Sequence, residues 1–236
     1  TEAQLCCYMA AYGEMHKSKF CRILKDFPFN DIDDNYEIID WGAGQGLGSI
    51  CLLDAMRNHQ LEDNLQKVTL VEPSAVALER AQQNLLQAVE EHVLVDTLNF
   101  CLPANLPSIT DALTGIHIEE PICIHIFSNI LDITTIDLKK LAFIVSSSGY
   151  RHYFLCVGPM NFGNYRIDAF ERYFQIEQSE IFSNFRTAQY AQLSNGRWYG
   201  CVTKGFKIVR EEGKPFLLPL AYYPSKQFHA AFRLDA

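Results

Sequence analysis

The chain has 236 residues, long enough for one sizeable α/β core. Apolar residues make up 48% and charged residues 20%, a balance that excludes extended disorder. The net charge of −8 repels polyanions over the average surface, so nucleic acid is not favoured as a partner without a local basic patch.

From Glu2 to about Leu24, residues Leu5, Tyr8, Met9, Tyr12, Met15, His16 and Phe20 recur at spacings of three and four and predict a helix. Pro28 and the turn-forming cluster from Asn30 to Asn35 then mark a linker. Residues 1–35 are thus expected to be a helical extension, and residues 36–236 the main domain. Beyond the linker, extended and helical stretches alternate: Tyr36 to Trp41, then a helix over Leu47 to His59, then Val68 to Glu72 and a helix over Ser74 to Val89. Further extended stretches are expected at Val95 to Cys101, Ile122 to Phe127 and Tyr153 to Val157. Helices are expected over Ile136 to Ser146 and Asp168 to Phe174. Such alternation predicts a doubly wound, mostly parallel sheet with helices on both faces. Ile176 to Arg186 and Gly200 to Val209 are rich in aromatic and β-branched residues with no long helix between them, and read as an antiparallel edge hairpin.

The eight cysteines sit mostly in apolar runs, and no CxxC pair is present to clamp a metal. Reduced, buried thiols in a cytoplasmic protein are the expectation, with no metal. No run of about 18 apolar residues is present, so no membrane partner is expected. A start at Thr1 and an abrupt end after Arg233-Leu-Asp-Ala leave fusion to other domains open.

Ile38-Ile-Asp-Trp-Gly-Ala-Gly-Gln-Gly-Leu-Gly48 runs from an apolar strand into closely spaced glycines and a helix. Glycine takes positive φ readily, and lacking Cβ it lets a ligand lie against the backbone. The helix that follows presents unpaired N–H groups. A dinucleotide fingerprint, Gly-x-Gly-x-x-Gly, fails in both registers, because position 47 is Leu and position 49 is Ser. The pattern is acidic-x-Gly-x-Gly-x-Gly, with Asp40 two residues before Gly42. One strand later, Val68-Thr-Leu-Val-Glu-Pro-Ser74 delivers a second carboxylate, suited to accept hydrogen bonds from vicinal hydroxyls.

Together these stretches resemble motif I and the following acidic position of class I (Rossmann-like) S-adenosylmethionine-dependent methyltransferases, over about residues 36 to 158. The resemblance implies a seven-stranded sheet and S-adenosylmethionine as cofactor. It places Gly42, Ala43, Gly44, Gln45 and Gly46 around the methionine moiety, Asp40 at its amino end, and Glu72 with Pro73 at the ribose. Asn99 and Leu102, in the segment Asn99 to Asn105 after the third strand, are candidates for the adenine, although the family's usual Asp is missing there.

After the fourth strand, Ile126-Phe-Ser-Asn-Ile-Leu-Asp132 places small polar residues where acceptor and cofactor would meet, since ligands bind outside the carboxyl ends of the strands. Ser128 and Asn129 are the catalytic candidates, Ser128 also facing the cofactor. Helix capping explains the same residue types. Asp132 reads equally as a surface acid. The Asn/Asp-Pro-Pro-aromatic turn of amino-methylating nucleic-acid enzymes is absent, and no cysteine occupies the nucleophile's place used in cytosine carbon methylation. Tyr8, Tyr12, His16 and Lys19 line up on the first helix, where His16 is a candidate general base or part of a polar rim. Arg186, Arg197, Lys204, Lys207 and Arg210 alternate with Tyr190, Trp198, Tyr199 and Phe206, which fits a nucleic-acid grip or a solvated hairpin. The function read from the sequence is methyl transfer to an unidentified acceptor. The alternative is a catalytically inactive methyltransferase-like module serving binding or scaffolding, and a dehydrogenase-like nucleotide binder is opposed by the missing third glycine.

Overall fold

The alternation seen in the sequence closes into three layers. The computed structural model describes residues 1–102, 118, 120–145, 151–160, 165–192 and 198–210. Its elements are α1 (Glu2–Leu24), β1 (Tyr36–Trp41), α2 (Leu47–Asn58), β2 (Leu65–Val71), α3 (Ala75–Leu86), β3 (Leu94–Leu98), β4 (Ile122–Ser128), α4 (Leu138–Val145), β5 (Arg151–Pro159), α5 (Tyr165–Arg172), β6 (Glu180–Gln192) and β7 (Trp198–Val209). The seven strands lie in the order β3-β2-β1-β4-β5-β7-β6. β1 to β5 are parallel, and β7 inserts antiparallel between β5 and the edge strand β6. This is the Rossmann-like architecture expected, with the hairpin at one edge.

Strand alternation sorts the core into two faces. Ile38, Ile122, Ile124, Ile126 and Leu155 face one way and pack with residues of α1, α2 and α3. Ile39, Trp41, Phe127, Phe154 and Phe206 face the other and pack with α4 and α5. Every residue of β1 is buried, as a central parallel strand covered on both faces requires. The reversal of strand order between β1 and β4 opens a crevice at their carboxyl ends, where the site forms.

The carboxyl half of α1 is part of this core: Phe20, Ile23 and Leu24 are buried in the same cluster as β1 and β4. Its amino half extends across the crevice instead. Gln45 Nε2 donates to the Leu5 carbonyl at 3.1 Å, and Arg80 ion-pairs with Glu2.

Several expectations shift. Strand β2 starts earlier than expected and stops at Val71, which puts Glu72 just beyond its end; β3 spans Leu94–Leu98 and β5 lengthens to Arg151–Pro159. The cysteines are less uniformly buried than expected. Cys51, Cys123, Cys156 and Cys201 are interior and Cys21 is half-buried, but Cys6, Cys7 and Cys101 are exposed, two of them on the solvent side of α1. Among the described residues no helix is long and apolar enough to cross a membrane.

Gly205 in β7 has a steric role. It faces Ser183 beside the irregularity in β6, and a Cβ on it would overlap the Phe182 ring, which packs edge-on against Phe27 at 5.6 Å. Gly205→Ala is expected to destabilise the protein by roughly 1–3 kcal/mol, the usual cost of overpacking. Urea denaturation checks this, as a lower midpoint at unchanged slope.

Candidate active site

A cavity of about 350 Å³ opens at the carboxyl ends of β1, β2 and β4. Its walls bring together most of the residues singled out in the sequence: His16, Asp40, Gly42, Ala43, Gly44, Gln45, Glu72, Ser128 and Asn129. A neighbouring cavity of about 180 Å³ shares Gly42, Glu72 and Ile130, and is lined further by Pro73, Phe100 and Leu102.

The glycine loop is pinned by its own backbone. Gly42 N–H and Ala43 N–H both donate to the Val71 carbonyl at 2.7 and 3.0 Å, and Gly46 N–H donates to Ala43 at 2.8 Å. Gly42, Gly44 and Gly46 all have positive φ, at 73°, 55° and 81°. A Cβ on Gly42 would overlap Ile130, whereas one on Gly44 would meet no atom of the described residues within 4 Å. Gly44 therefore borders open space in the cavity, a cradle that a side chain would fill. Gly46 sits one step back as the N-cap of α2.

Asp40 is 1% exposed, at the end of β1. Its Oδ2 accepts a hydrogen bond from Ser49 Oγ at 2.7 Å, while its buried Oδ1 has no partner among the described residues. Burial raises the carboxyl to about 7, the hydrogen bonds from Ser49 oppose this, and the Glu72 charge adds to it. A desolvated carboxylate with one unsatisfied oxygen on a cavity wall fits a cationic amino group. Ser49 was not singled out in the sequence, where its only signal is a polar residue in the first turn of an apolar helix.

Glu72 bridges two loops, with Oε2 accepting from Gly44 N–H and Oε1 from Ser74 N–H, each at 3.0 Å. Each carboxylate oxygen keeps a further lone pair for a ligand hydroxyl. Asn99 lines neither cavity. Its Nδ2 donates to the carbonyls of Glu72 and Pro73, both at 3.0 Å, so it fixes the exit of β2 and acts on the pocket through Glu72. Pro103 to Asn105, the rest of that segment, lie outside the described residues.

Asn129 follows β4 with φ of 60°, a left-handed conformation that Asn tolerates better than most residues. Its N–H donates to the Val157 carbonyl at 2.7 Å. Capping does not explain it, because Asp137 caps α4, accepting from Lys139 and Lys140 N–H at 3.1 Å. The Asn129 side chain instead joins three residues. Lys19 Nζ donates to its Oδ1 at 2.9 Å, and its Nδ2 lies 3.0 Å from His16 Nδ1 and 3.1 Å from Ser128 Oγ. His16 Nε2 is 2.9 Å from Tyr8 Oη. Both nitrogens of His16 are therefore engaged, and burial followed by the Lys19 charge lowers it to about 4, so it is neutral at pH 7. In this arrangement both nitrogens of His16 are taken up by Tyr8 and Asn129, and the ring presents no free lone pair to the cavity. Asp132 is half-buried and raises the Lys19 pKa.

Sequence spacing showed no metal-ligand set, yet the fold brings one potential ligand atom each from Cys123, His125 and His152 within 4.8 Å. They lie in the interior and none lines the cavity. Trp41 Nε1–H donates to His125 Nδ1 at 3.2 Å, which leaves the ring proton on Nε2, 3.0 Å from His152 Nδ1.

On the hairpin, Arg186 pairs with Asp168, Lys204 with Asp168 and Glu171, and Lys207 with Asp31 and Glu180. Phe206 is a core residue. Arg197 lies outside the described residues, as do the side chains of Tyr190, Trp198 and Tyr199.

No protein-family model and no curated protein matches the chain. Among solved structures, the chain is similar to the YcgJ protein of Bacillus subtilis, at 12% identity and TM-score 0.48 over 78% of this chain and 97% of that one. It is similar to precorrin 8w decarboxylase of Methanobacterium thermoautotrophicum, at 14% identity and TM-score 0.46 over 80% and 88%. The magnesium protoporphyrin IX methyltransferase of Synechocystis PCC 6803 with bound S-adenosylmethionine is also similar, at 13% identity and TM-score 0.45 over 83% and 80%.

Proposed function

We propose that this chain is an S-adenosylmethionine-dependent methyltransferase whose cofactor lies across the ends of β1 and β2. The observation that carries the reading is Asp40: a buried carboxylate with one oxygen held by Ser49 and the other unpartnered on the cavity wall, beside a glycine that borders open space. Asp40 would hold the amino end of the cofactor, the loop from Gly42 to Gly46 its backbone-facing side, and Glu72 the ribose hydroxyls. The smaller cavity beside Pro73 and Leu102, apolar through Phe100, Ile130 and Ile136, would take the adenine ring.

When bound, the cofactor supplies an electrophilic methyl group on a sulfonium. The chain's own task is then alignment, which alone supplies much of the acceleration of a bimolecular transfer. Ser128, at the end of β4 and oriented by Asn129, borders the same cavity as Asp40 and holds the acceptor in line. The amino half of α1, laid over the cleft by Gln45 and Arg80, excludes water.

The activity is tested by incubating the protein with methyl-labelled S-adenosylmethionine and the small-molecule, RNA and protein fractions of a cell extract. Label is expected in one fraction, and about 10- to 100-fold less of it with Asp40→Asn at cofactor concentrations below the Kd. Cofactor binding without transfer to any fraction would overturn catalysis in favour of a cofactor-binding module. Glu72→Gln is expected to raise the cofactor's Kd about tenfold, because charge-assisted hydrogen bonds become neutral ones, read by calorimetry.

A further inference from the structure

Lys19 is 1% exposed, and among the described residues no carboxylate forms an ion pair with it. Its one hydrogen bond among the described residues is to Asn129 Oδ1. A buried cation with no carboxylate in ion-pair contact is costly, the Asp132 charge offsets that cost only through space, and an anion bound beside it would complete the charge balance.

The hydrogen-bond chain from Lys19 has a fixed direction. An ammonium only donates, so the Asn129 amide must turn its oxygen to Lys19 and its two N–H bonds to His16 Nδ1 and Ser128 Oγ. His16 Nδ1 then accepts, so the ring proton sits on Nε2 and is donated to Tyr8 Oη. Tyr8 and Ser128 each accept a hydrogen bond and keep their own hydroxyl proton to give away. Both residues line the cavity. Burial, then the neighbouring Tyr12, raises the Tyr8 pKa, which keeps its hydroxyl a donor at neutral pH. This end of the cavity therefore presents two directed O–H donors with an ammonium behind them.

We propose that the methyl acceptor is an oxyanion, in the simplest case a carboxylate, received by the Tyr8 and Ser128 hydroxyls, with Lys19 and Asn129 as positioning residues. The inference rests on the methyltransferase reading for its chemistry. A carboxylate needs no base: its oxygen lone pair forms the new O–C bond to the methyl carbon as the C–S bond breaks. The bonding pair leaves on sulfur, the two charges cancel to give a methyl ester and a thioether, and no proton moves. The neutral His16, useless as a base here, serves as the link that orients Tyr8. The exposed Tyr8 and Tyr12 rings, 5.1 Å apart at the rim, give a flat apolar body a surface to rest on.

The test uses benzoate and its uncharged isostere benzamide, titrated calorimetrically into protein saturated with S-adenosylhomocysteine. Benzoate is expected to bind at least tenfold more tightly. Tyr8→Phe, at a half-exposed position, is expected to fold normally and cut that preference severalfold; Lys19→Met is expected to abolish it. The groups facing Lys19 are His16 on its own helix, Asp132 after β4 and Cys201 on β7; burial lowers it to about 8, with Cys201 and Asp132 opposing. The preference should therefore fade as pH rises past about 8. Equal binding of the two probes, or a preference unchanged in Tyr8→Phe, would overturn the proposal. Failure of S-adenosylhomocysteine itself to bind would overturn the methyltransferase reading instead, and the same two probes on cofactor-free protein then decide the oxyanion site by itself.

Discussion

Replacing Asp40 by Asn is expected to weaken S-adenosylmethionine binding by about 10- to 100-fold, the worth of a charge-assisted hydrogen bond to an ammonium. The same substitution is expected to stabilise the cofactor-free protein at pH 8. Asp40 is raised to about 7 in the folded chain, against about 3.9 when unfolded. The folded state therefore holds this proton more tightly than the unfolded state. Stability falls as pH rises from about 4 to about 7, by up to about 4 kcal/mol, and the full penalty persists above that range. Asn is neutral throughout and removes the penalty, although its amide protons then need partners, so a net gain of about 2 kcal/mol is expected, or roughly 4–8 °C in Tm. Wild-type affinity for the cofactor should fall about tenfold per pH unit below about 7, as the carboxyl must release its proton to receive the ammonium, and Asp40→Asn should lack that slope. Thermal unfolding and calorimetry at pH 5 and pH 8 read both effects. A residue that destabilises the empty protein while improving ligand binding is the signature of a functional group rather than a core one.

The second large effect separates two neighbouring glycines. Gly42→Ala is expected to cost roughly 3 kcal/mol, combining the left-handed backbone penalty with overlap of Ile130. Gly44→Ala carries the backbone penalty alone, about 1–2 kcal/mol, because its Cβ meets nothing. The order inverts for ligand binding among chains that fold: the Gly44→Ala methyl projects into the cradle and should weaken S-adenosylmethionine at least tenfold. Denaturation midpoints and Kd values measured on the two variants check both halves of the statement. Equal effects on binding and stability at both positions would reduce the loop to a strand-to-helix turn.

The sequence made the layered sheet legible because helices separate β1 from β2, β2 from β3 and β4 from β5, and the central strands β1, β4 and β5 carry apolar runs. It made Asp40, the glycine loop and Glu72 legible because strain-tolerant glycines and carboxylates at strand ends are local signals. The partners of Asn99 were not legible, because a side-chain amide just past β3 looks the same in sequence whether it faces a ligand or, as found, the carbonyls of Glu72 and Pro73 beyond the neighbouring strand β2. His16 was visible as a candidate, but its neutral state depends on burial and on Lys19, and its tautomer on Asn129, 113 positions away. The Cys123, His125 and His152 cluster was invisible for a related reason: two of its members lie on one strand and the third is brought alongside by the register of β4 with β5. Contacts of this kind are written in pairing register and not in spacing along the chain.

The most direct measurement is calorimetric titration of the purified protein with S-adenosylmethionine and S-adenosylhomocysteine, with NAD as the control ligand and the Asp40→Asn and Glu72→Gln variants alongside. Micromolar binding of the first two, no binding of NAD, and marked weakening in both variants is the expected result. Binding of neither adenosyl ligand, or binding that is indifferent to both substitutions, would contradict a cofactor site built on Asp40 and Glu72.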